Sequence, residues 1–468
     1  MFLHLCTLLK TVGMIIGLAG ITWPASAQSV TVNRHGGLPG KVLQPESHNV
    51  LVILIDDVGI DAIGTYGLHP TAPVTPTFDA LASEGLLFRN AFGQPVCSPT
   101  RSTMMTGHFP SQTGVGVQIP FRKPDHSHGT WSPILKMLPD HLPARYAKYA
   151  VGKWHLDSED NASPVSRGFD SYRGYVHNLQ DHYEYESTIA DARGEQIVTV
   201  RRWSTSQEID DALELIQSTP EDKPWFLWLG LHAAHSPWQA PPDHLHKYGD
   251  LTGASDRVLF RAMIQSVDTE IARLLNGIGP EVLARTTVIV AGDNGTAIQM
   301  QEAPVVSRGG KKQLYDGGTR VPLVIRSPYV TAPGREVNAL VGLIDLHQTV
   351  LDLTFSKRAP ATDSISLVPY FRDSSARAQR DWVHARLHLP NGIDGEVEYQ
   401  SETAMVRTLE YKLLRFGKSA RAVEFYNVLN DPLEEVNLTP GGNLGGLTPV
   451  ELKTFEWLSL VLGNLGGP

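Results

Sequence analysis

The sequence predicts an α/β protein with a large, mixed but mainly parallel sheet sandwiched by helices, plus a small C-terminal antiparallel sheet with a helix. Four mainly apolar segments of strand length predict parallel strands buried on both faces: Asn49–Ile55, Tyr146–Val151, Trp225–Leu231 and Thr287–Ala291. The texture changes after about residue 375. Short alternating runs then predict antiparallel strands within Ala404–Phe416 and Val423–Leu429, and Thr448–Leu462 predicts the accompanying helix.

Amphipathic segments between the apolar runs predict the helices that cover the large sheet. Their apolar residues recur at helical spacing, and their predicted bounds are Pro76–Phe88, Ser206–Gln217, Asp256–Asn276 and Ala339–Leu353. A further short strand, Pro322–Ile325, follows a basic, glycine-flanked loop. This alternation of strands and helices is typical of a sheet with helices on both faces.

Composition excludes some classes of function. Hydrophobic residues make up 41% and charged residues 19% of the 468 positions, which is ordinary for a globular protein. The formal net charge of −9 argues against nucleic acid as a partner. Any anionic substrate must therefore be captured by local positive groups rather than by the overall field.

The first 27 residues have the pattern of an export signal. Lys10 supplies a positive charge, Val12–Ile21 is an apolar run, and Ala25–Ala27 gives a small-x-small cleavage site. Because this run is too short for a membrane span, we expect an exported protein, periplasmic or secreted, without a span. The expected division is a signal peptide at 1–27, a linker at 28–47, a main domain at 48–375 and a C-terminal subdomain at 376–468.

Removal of the signal would take Cys6 away and leave Cys97 as the one cysteine. Cys97 precedes a predicted helix, with Ser98 as N-cap and Pro99 at the first helical position. Arg101 lies four residues on, so helical spacing brings its guanidinium over the face that Cys97 occupies. A thiol, a positive helix end and an arginine on one side predict a site for an oxyanion. A lone cysteine considered by itself is more often a buried, inert thiol.

Two pairs of oxygen donors follow predicted strands. Asp56 and Asp57 come directly after the first run, and Asp293 and Asn294 come after the fourth. The first pair considered by itself is equally well explained as a solvated turn or a helix cap. Together the four side chains predict an oxygen cage for one divalent cation, with ligands that suit calcium or magnesium.

Basic residues follow the two other long strands. Lys153 and His155 come after the second run, and His232 and His235 come after the third. Taken singly they are ordinary surface groups, but α/β sheets gather ligands at the carboxyl ends of strands. Zinc at the two histidines is disfavoured, because Pro237 predicts a loop there instead of a helix. A nearby group either lines a pocket or belongs to a solvated loop: Tyr172, His177, Asp181, His182 and Tyr183.

These motifs together resemble the sulfatase family. Cys97–Arg101, followed by Met104–Gly107, is similar to the family signature, and Gly152–His155 matches its second motif. Gly309–Pro322 resembles the family's Gly-Lys-x-x-x-Tyr-Glu-Gly-Gly element, and Phe425–Leu438 resembles its C-terminal signature. The resemblance covers nearly all of the chain from about residue 48 onward.

The chain departs from the family pattern at two positions, with Thr100 in place of the more common serine and Asp316 in place of glutamate. The resemblance is to arylsulfatase-like, formylglycine-dependent type I members within the alkaline phosphatase superfamily. It therefore implies an alkaline-phosphatase-like fold and makes 48–375 the sulfatase catalytic domain.

The resemblance also implies the cofactors. Cys97 would be oxidised after synthesis to formylglycine by a formylglycine-generating maturation enzyme, and the hydrate of this aldehyde would be the nucleophile. The usual metal is Ca²⁺, with Mg²⁺ as the alternative, and the implied ligands are Asp56, Asp57, Asp293, Asn294 and the derivative of Cys97. The implied catalytic residues are Cys97, Arg101, Lys153, His155, His235 and Lys311. The family pattern selects His235 over His232 and Lys311 over Lys312.

The implied activity is hydrolysis of a sulfate monoester, with a small aryl sulfate or a glycan sulfate as substrate. Arg101, Lys153 and Lys311 would surround the anion with fixed positive charge. His235 or Lys311 would protonate the leaving group, and His155 would help to deprotonate the second hydroxyl of the hydrate. Two alternatives stay open: a phosphate or phosphonate ester hydrolase on the same fold, and a non-catalytic protein that binds sulfated glycans.

Overall fold

The computed structural model describes residues 47–120, 135–157, 163–301, 307–356, 362–393, 395–417 and 422–466. The predicted signal peptide lies outside these residues, and so does the predicted linker apart from its last residue, Ser47. The division into domains stays a prediction.

A ten-stranded mixed sheet forms the centre of the described chain. Its strands are β1 Asn49–Ile55, β2 Leu86–Phe92, β3 Ala147–Gly152, β4 Ser171–Gly174, β5 Glu184–Asp191, β6 Gly194–Arg201, β7 Trp225–Gly230, β8 Thr286–Gly292, β9 Leu323–Arg326 and β10 Arg335–Gly342. They lie in the order β10-β2-β9-β8-β1-β7-β3-β4-β5-β6. The five strands from β8 to β4 are mutually parallel, whereas β9, β5 and β6 pair antiparallel with their neighbours. The predicted fold class is confirmed.

Helices cover both faces of this sheet, and one further helix, α12, belongs to the C-terminal part of the chain. The bounds of the helices are α1 Pro76–Ser83, α2 Cys97–Thr106, α3 Pro110–Thr113, α4 Leu138–His141, α5 Ser163–Ser166, α6 Ser204–Ser218, α7 Asp256–Ile278, α8 Pro280–Leu283, α9 Asp316–Thr319, α10 Asp345–Leu353, α11 Val368–Arg372 and α12 Pro449–Asn464. No helix within the described ranges combines the length and the apolar character needed to cross a membrane.

The burial of strand β1 on both faces explains why polar and apolar residues do not alternate in its sequence. All seven of its residues are buried. Val50, Val52 and Leu54 pack into the core on one face of the sheet. Leu51 and Ile53 pack into the core on the other face. A strand with helices on both sides needs apolar residues at every position, as its sequence predicts.

The small C-terminal sheet is also confirmed. Its antiparallel strands are β11 Val383–Leu389, β12 Ser401–Arg407, β13 Tyr411–Phe416 and β14 Val423–Asn427, in that spatial order. Helix α12 packs on this sheet through Leu458 and Leu462, which contact Val406 and other buried strand residues. Thr448 and Glu451 form a capping box that begins the helix.

Two predicted helices are partly wrong. The segment Pro76–Phe88 is helical only to Ser83, and its last residues belong to β2. The chain turns at Gly85, where a Cβ would lie 2.2 Å from the carbonyl oxygen of Ile325, so the helix cannot continue past this close approach. Likewise, the first residues of Ala339–Leu353 form the end of β10, because they pair with β2. In both segments, pairing with a neighbouring strand overrides the helical spacing of the local sequence.

Replacing Ile53 with alanine should lower the free energy of unfolding by about 2–5 kcal/mol, because this side chain is fully buried in the central strand. The matched control is Ile197→Ala on the edge strand β6, where the side chain is 52% exposed and the change should stay within about 0.5 kcal/mol. Urea unfolding of the two variants measures the difference. Equal losses would contradict the two-sided burial of β1.

Candidate active site

The predicted site residues come from four neighbouring parallel strands. β8, β1, β7 and β3 are consecutive in the sheet, and their carboxyl ends lie along one edge. Ile55 is in register with Gly292, so the donors that follow β1 and β8 emerge side by side. Gly152 is in register with Gly230, which brings the residues after β3 next to the loop after β7. The topology thus gathers segments that are far apart in sequence.

Three carboxylates and the Cys97 thiol form one buried cluster. Asp56, Asp57, Asp293 and Cys97 each offer a ligand atom, and these atoms all lie within 4.8 Å of one another. The backbone N–H of Asp57 donates to Oδ1 of Asp293 over 3.2 Å, and the Cys97 Sγ lies 3.4 Å from Oδ1 of Asp56. Such a cluster is costly to bury unless cations neutralise it.

The hydrogen bonding of Asn294 shows whether the cluster fits a metal ion. Its amide nitrogen donates to Oδ1 of Asp57 over 2.9 Å and to the carbonyl of Gly295 over 3.0 Å. Its Oδ1 is buried and accepts no hydrogen bond from any described residue. A buried amide oxygen without a donor beside three carboxylates is the oxygen-rich donor set that a hard divalent cation binds. The residues therefore fit Ca²⁺ or Mg²⁺.

Each carboxylate is paired with its own cation. Arg101 donates from Nε and Nη2 to Oδ2 of Asp293 over 3.1 and 2.8 Å. Lys153 forms a fully buried ion pair with Asp56. The Lys311 ammonium lies 2.7 Å from Oδ1 of Asp57. Three positive charges thus compensate three negative ones within a pocket from which water is largely excluded.

Burial and these charges shift the pKa values of the cluster. Burial alone would favour the neutral acid of Asp56, but Lys153, followed by His235 and Arg101, holds the pKa of Asp56 well below its usual range. Burial, and after it the Asp56 carboxylate, raises the pKa of the Cys97 thiol to about 12. The unmodified thiol is therefore neutral in these surroundings.

Helix α2 begins two residues earlier than the sequence predicts. Cys97 is its first residue, so Ser98 is not the N-cap. The Ser98 hydroxyl instead accepts a hydrogen bond from the backbone N–H of Ile119. Thr100 accepts from the N–H of Gln94 over 2.9 Å, which gives the threonine at this position a local partner. Cys97 thus lies in the first helical turn, beside N–H groups that favour an anion.

His155 combines an unusual backbone with an available nitrogen. Its φ of 60° lies in the left-handed region, where non-glycine residues are uncommon. Its backbone N–H donates to the carbonyl of Val176 over 2.6 Å. The buried Nδ1 has no hydrogen-bond partner among the described residues. Burial, and next the Lys153 charge, keeps the pKa of His155 well below its usual range, so the ring is neutral.

The ring of His235, rather than that of His232, faces the carboxylate cluster. Its Nδ1 donates to the carbonyl of Ser236 over 2.6 Å, and its Nε2 lies 3.7 Å from Oδ2 of Asp57. The pKa of His235 is lowered by burial. Because a carbonyl only accepts, the hydrogen on Nδ1 leaves Nε2 as the nitrogen directed at the site.

His232 has a different set of partners. Its Nε2 donates to the carbonyl of His177 over 2.9 Å, and its Nδ1 lies 2.5 Å from Oε1 of Glu208. Burial raises the pKa of Glu208 and lowers that of His232 to about 3, so the two share one proton as a neutral pair. Glu208 is not among the residues that the sequence predicts for the site, because it lies within α6 and carries no local motif.

His182 fixes the loop that carries His235. Its Nε2 donates to the backbone carbonyl of His235 over 3.0 Å, and its Nδ1 is 2.8 Å from the Ser204 hydroxyl. Its backbone N–H donates to the side chain of Gln239 over 2.7 Å. Of the two interpretations of His182, a solvated loop is wrong, because this side chain is 1% exposed.

Lys311 and Lys312 also differ in their surroundings. The ammonium of Lys311 contacts Asp57, whereas the side chain of Lys312 is exposed. Lys312 instead contributes its backbone N–H, which donates to the carbonyl of Pro95 over 2.8 Å. This bond connects the loop that carries Lys311, residues 308–320, to the segment that leads into Cys97.

Buried oxygen donors and fixed cations at the carboxyl ends of parallel strands are suited to bind and activate an anionic ester. The family model described as Sulfatase matches residues 48–356. A second family model, described as N-sulphoglucosamine sulphohydrolase, C-terminal, matches residues 310–445. The chain belongs to the sulfatase family and is a sulfate ester hydrolase. The non-catalytic alternative is thereby set aside.

Individual relatives agree with this assignment. The chain is 26% identical to N-acetylgalactosamine-6-sulfatase of Homo sapiens over 89% of this chain and 79% of the relative. The crystal structure of the putative sulfatase yidJ from Bacteroides fragilis has a TM-score of 0.74 at 21% identity, covering 92% and 98% of the two chains. The structure of BT4656 in complex with its substrate D-glucosamine-2-N,6-O-disulfate has a TM-score of 0.69 at 17% identity, covering 90% and 98%. These two structures share the fold.

Proposed function

We propose that this sulfate ester hydrolase acts through a formylglycine made from Cys97 and one divalent cation. The observation that carries the proposal is the convergence of three carboxylates, their three cations and the Asn294 amide on the side chain of Cys97. Cys97 is the single cysteine within the described residues, and it is buried and unpaired. A maturation enzyme that oxidises this residue is the partner that the proposal requires.

The proposed metal ligands are the four oxygen-donating residues together with the modified Cys97. When bound, a divalent cation would polarise the sulfate ester and lower the pKa of the attacking hydroxyl. The donor set supports Ca²⁺, the usual ion of the family, with Mg²⁺ as the alternative. The unpartnered Oδ1 of Asn294 supports the assignment, because a buried acceptor in a native structure normally has a partner.

The residues around Cys97 have separate roles in this proposal. Arg101, Lys153 and Lys311 neutralise the sulfate oxygens, since their charges are held at fixed positions by Asp293, Asp56 and Asp57. The hydrated aldehyde supplies the oxygen that attacks sulfur. His155 is neutral, and its Nδ1 has no hydrogen-bond partner in the described part of the chain, which suits it to accept the proton of the second hydroxyl.

Two groups are candidates for protonating the leaving oxygen. His235 directs its Nε2 toward the cluster, and Lys311 brings an ammonium to the same carboxylate, Asp57. Each can reach an oxygen bound near Asp57, so both stay in the proposal.

We also propose a glycan sulfate as the substrate and export as the route, to the periplasm or out of the cell. The named substrates of two matched proteins are sulfated amino sugars, which supports a carbohydrate over an aryl leaving group. The signal pattern of the first 27 residues supports export. The N-terminal sequence of the purified mature chain tests the export route.

Replacing Cys97 with alanine should lower turnover of a sulfate ester by about 10⁴-fold or more, because the nucleophile is lost. The thermal midpoint should change little, whereas calcium binding should weaken, because the modified Cys97 is one of the proposed ligands. Mass spectrometry of the peptide that contains position 97 should detect the aldehyde in the active wild-type protein. An active protein with an unmodified thiol would refute the nucleophile assignment.

Asn294→Ala should weaken calcium binding by at least about tenfold, because a ligand is removed from a preformed site. Isothermal titration of the chelator-treated protein measures this without any need for turnover. The control is Asn90→Ala, whose amide bonds the backbone of Asn338 away from the cluster and should leave the affinity unchanged. Equal affinities for both variants would contradict the metal site.

A sulfated amino sugar should be hydrolysed with a kcat/KM at least about tenfold above those of an aryl sulfate, an aryl phosphate and a phosphonate ester. The comparison uses the matured, metal-loaded enzyme with each ester at the same pH. Preference for the aryl sulfate would remove the glycan proposal. Preference for a phosphorus ester would favour the alternative activity.

A further inference from the structure

We propose that a buried charge cluster in the small C-terminal sheet positions Lys311 in the active site, an inference that rests on the proposed function only for the catalytic role of Lys311. The cluster, called here the Asp316 cluster, consists of Asp316, Arg407, Lys412 and Glu434. Asp316 belongs to the lysine loop, residues 308–320, and the other three belong to β12, β13 and the segment after β14. They are positioning residues.

The contacts within the Asp316 cluster are close. Arg407 donates to Oδ2 of Asp316 over 2.5 Å, and the Lys412 ammonium lies 3.1 Å from Oδ1. The same ammonium lies 2.7 Å from Oε1 of Glu434. Oε2 of Glu434 accepts the backbone N–H of Asp316 over 2.8 Å. Glu434 therefore holds the backbone of the lysine loop, while Arg407 and Lys412 hold its side chain.

Burial makes this cluster an expensive way to join two sheets. Lys412 and Glu434 are 0% exposed, and Arg407 and Asp316 are only 4% and 5% exposed. Removing four charged groups from water is costly, and apolar side chains of similar volume often stabilise such an interface equally well. Charged groups do provide what apolar ones do not, namely a defined direction and register for the partner. The Asp316 cluster is therefore better suited to fix the position of the lysine loop than to add stability to the interface.

The backbone conformation of Glu434 independently supports a positioning role for the Asp316 cluster. Among the described residues, five that are not glycine have a positive φ: Asp57, His155, Lys312, Phe355 and Glu434. Three of them lie in or next to the site, and Glu434, at 54°, lies in the Asp316 cluster. Such backbone is costly and persists where the surroundings impose it, which is commonly at functional positions. Glu434 shares this property with the residues that it would position.

The lysine loop transmits the position of Asp316 to Lys311. The N–H of Gly317 donates to the carbonyl of Arg308 over 2.8 Å, which closes the loop on itself. On the site side, Lys311 donates its N–H to the carbonyl of Thr296 over 3.0 Å. A Cβ on Gly295 would lie 1.9 Å from the carbonyl oxygen of Gly317, so the lysine loop directly contacts the segment that follows Asn294. A shift at Asp316 cannot be absorbed between them.

The first test measures the position of Lys311 without turnover. Brief acylation of wild-type protein should modify exposed Lys312 well before Lys311, whose ammonium is paired with Asp57. In Lys412→Met the ratio of modification at Lys311 to that at Lys312 should rise at least about tenfold, which corresponds to a tenfold looser ion pair. Fragment mass spectrometry distinguishes the neighbouring lysines, so Lys312 serves as an internal reference.

Three variants accompany this measurement. Lys412→Arg keeps the charge and should restore most of the wild-type ratio. Glu434→Gln keeps the shape, so it replaces Lys412→Met if that variant does not fold, and it should raise the ratio in the same direction. Glu402→Gln is the matched control in the same small sheet, because Glu402 of β12 pairs with the buried Arg386 of β11 rather than with Asp316. It should leave the ratio unchanged.

The second test measures turnover. Lys412→Met should lower kcat for a sugar sulfate by about 10²-fold, with a smaller loss for nitrophenyl sulfate, whose leaving group needs no proton. A lowered thermal midpoint with an unchanged lysine ratio would overturn the inference, since the cluster would then only hold the sheets together. A raised ratio with unchanged turnover would support the positioning of Lys311 and instead refute its catalytic role.

Discussion

The structure depends on the neutralisation of three carboxylates that are buried against one another. Each has its own cation, in the pairs Asp56–Lys153, Asp57–Lys311 and Asp293–Arg101. Removing either partner of such a pair would leave an uncompensated charge in a dry pocket, which is strongly destabilising. Because the six charges cancel, a bound divalent cation would leave an excess of positive charge beside Cys97. The protein as a whole carries a net charge of −9, so only this local excess can attract an anionic ester.

The parallel sheet makes that arrangement available. The consecutive strands β8, β1, β7 and β3 end at one edge of the sheet. Site residues as far apart in sequence as Asp56 and Asn294 therefore lie close together, because each follows one of these strands. Apolar residues on both faces fix each strand, so the polar residues that follow have little freedom. Helix α2 then brings Cys97 and Arg101 to the same edge. Rigid strands therefore carry the carboxylates, and a helix carries the residue proposed to react.

Sequence alone predicts the features that have a local signal. The run Asn49–Ile55 has no polar interruption, so its burial on two faces and the placement of Asp56 at its end could be predicted. The segment Pro76–Phe88 could not, since helical spacing continues past the point where β2 begins to pair with β9 and β10. Glu208 and His182 also have no local signal, because their partners, His232 and His235, lie 24 and 53 positions away. Only the folded chain relates such residues.

Lys311 differs from the other site residues in how its position is fixed. Asp56, Lys153, His235 and Asp293 follow parallel strands, whereas Lys311 lies on a loop between β8 and β9 that follows neither directly. Strand register therefore cannot place its ammonium against Asp57, and another part of the protein must do so. The small sheet is the part in contact, through the Asp316 cluster.

Strand β11 of the small sheet also bonds Gln94, whose side chain donates to the carbonyl of His384 over 3.1 Å and accepts the N–H of Arg386 over 2.9 Å. Gln94 lies three positions before Cys97, so the small sheet contacts the approaches to both the proposed nucleophile and the lysine. The C-terminal sheet is in this sense part of the active site, although none of its residues belongs to the carboxylate cluster.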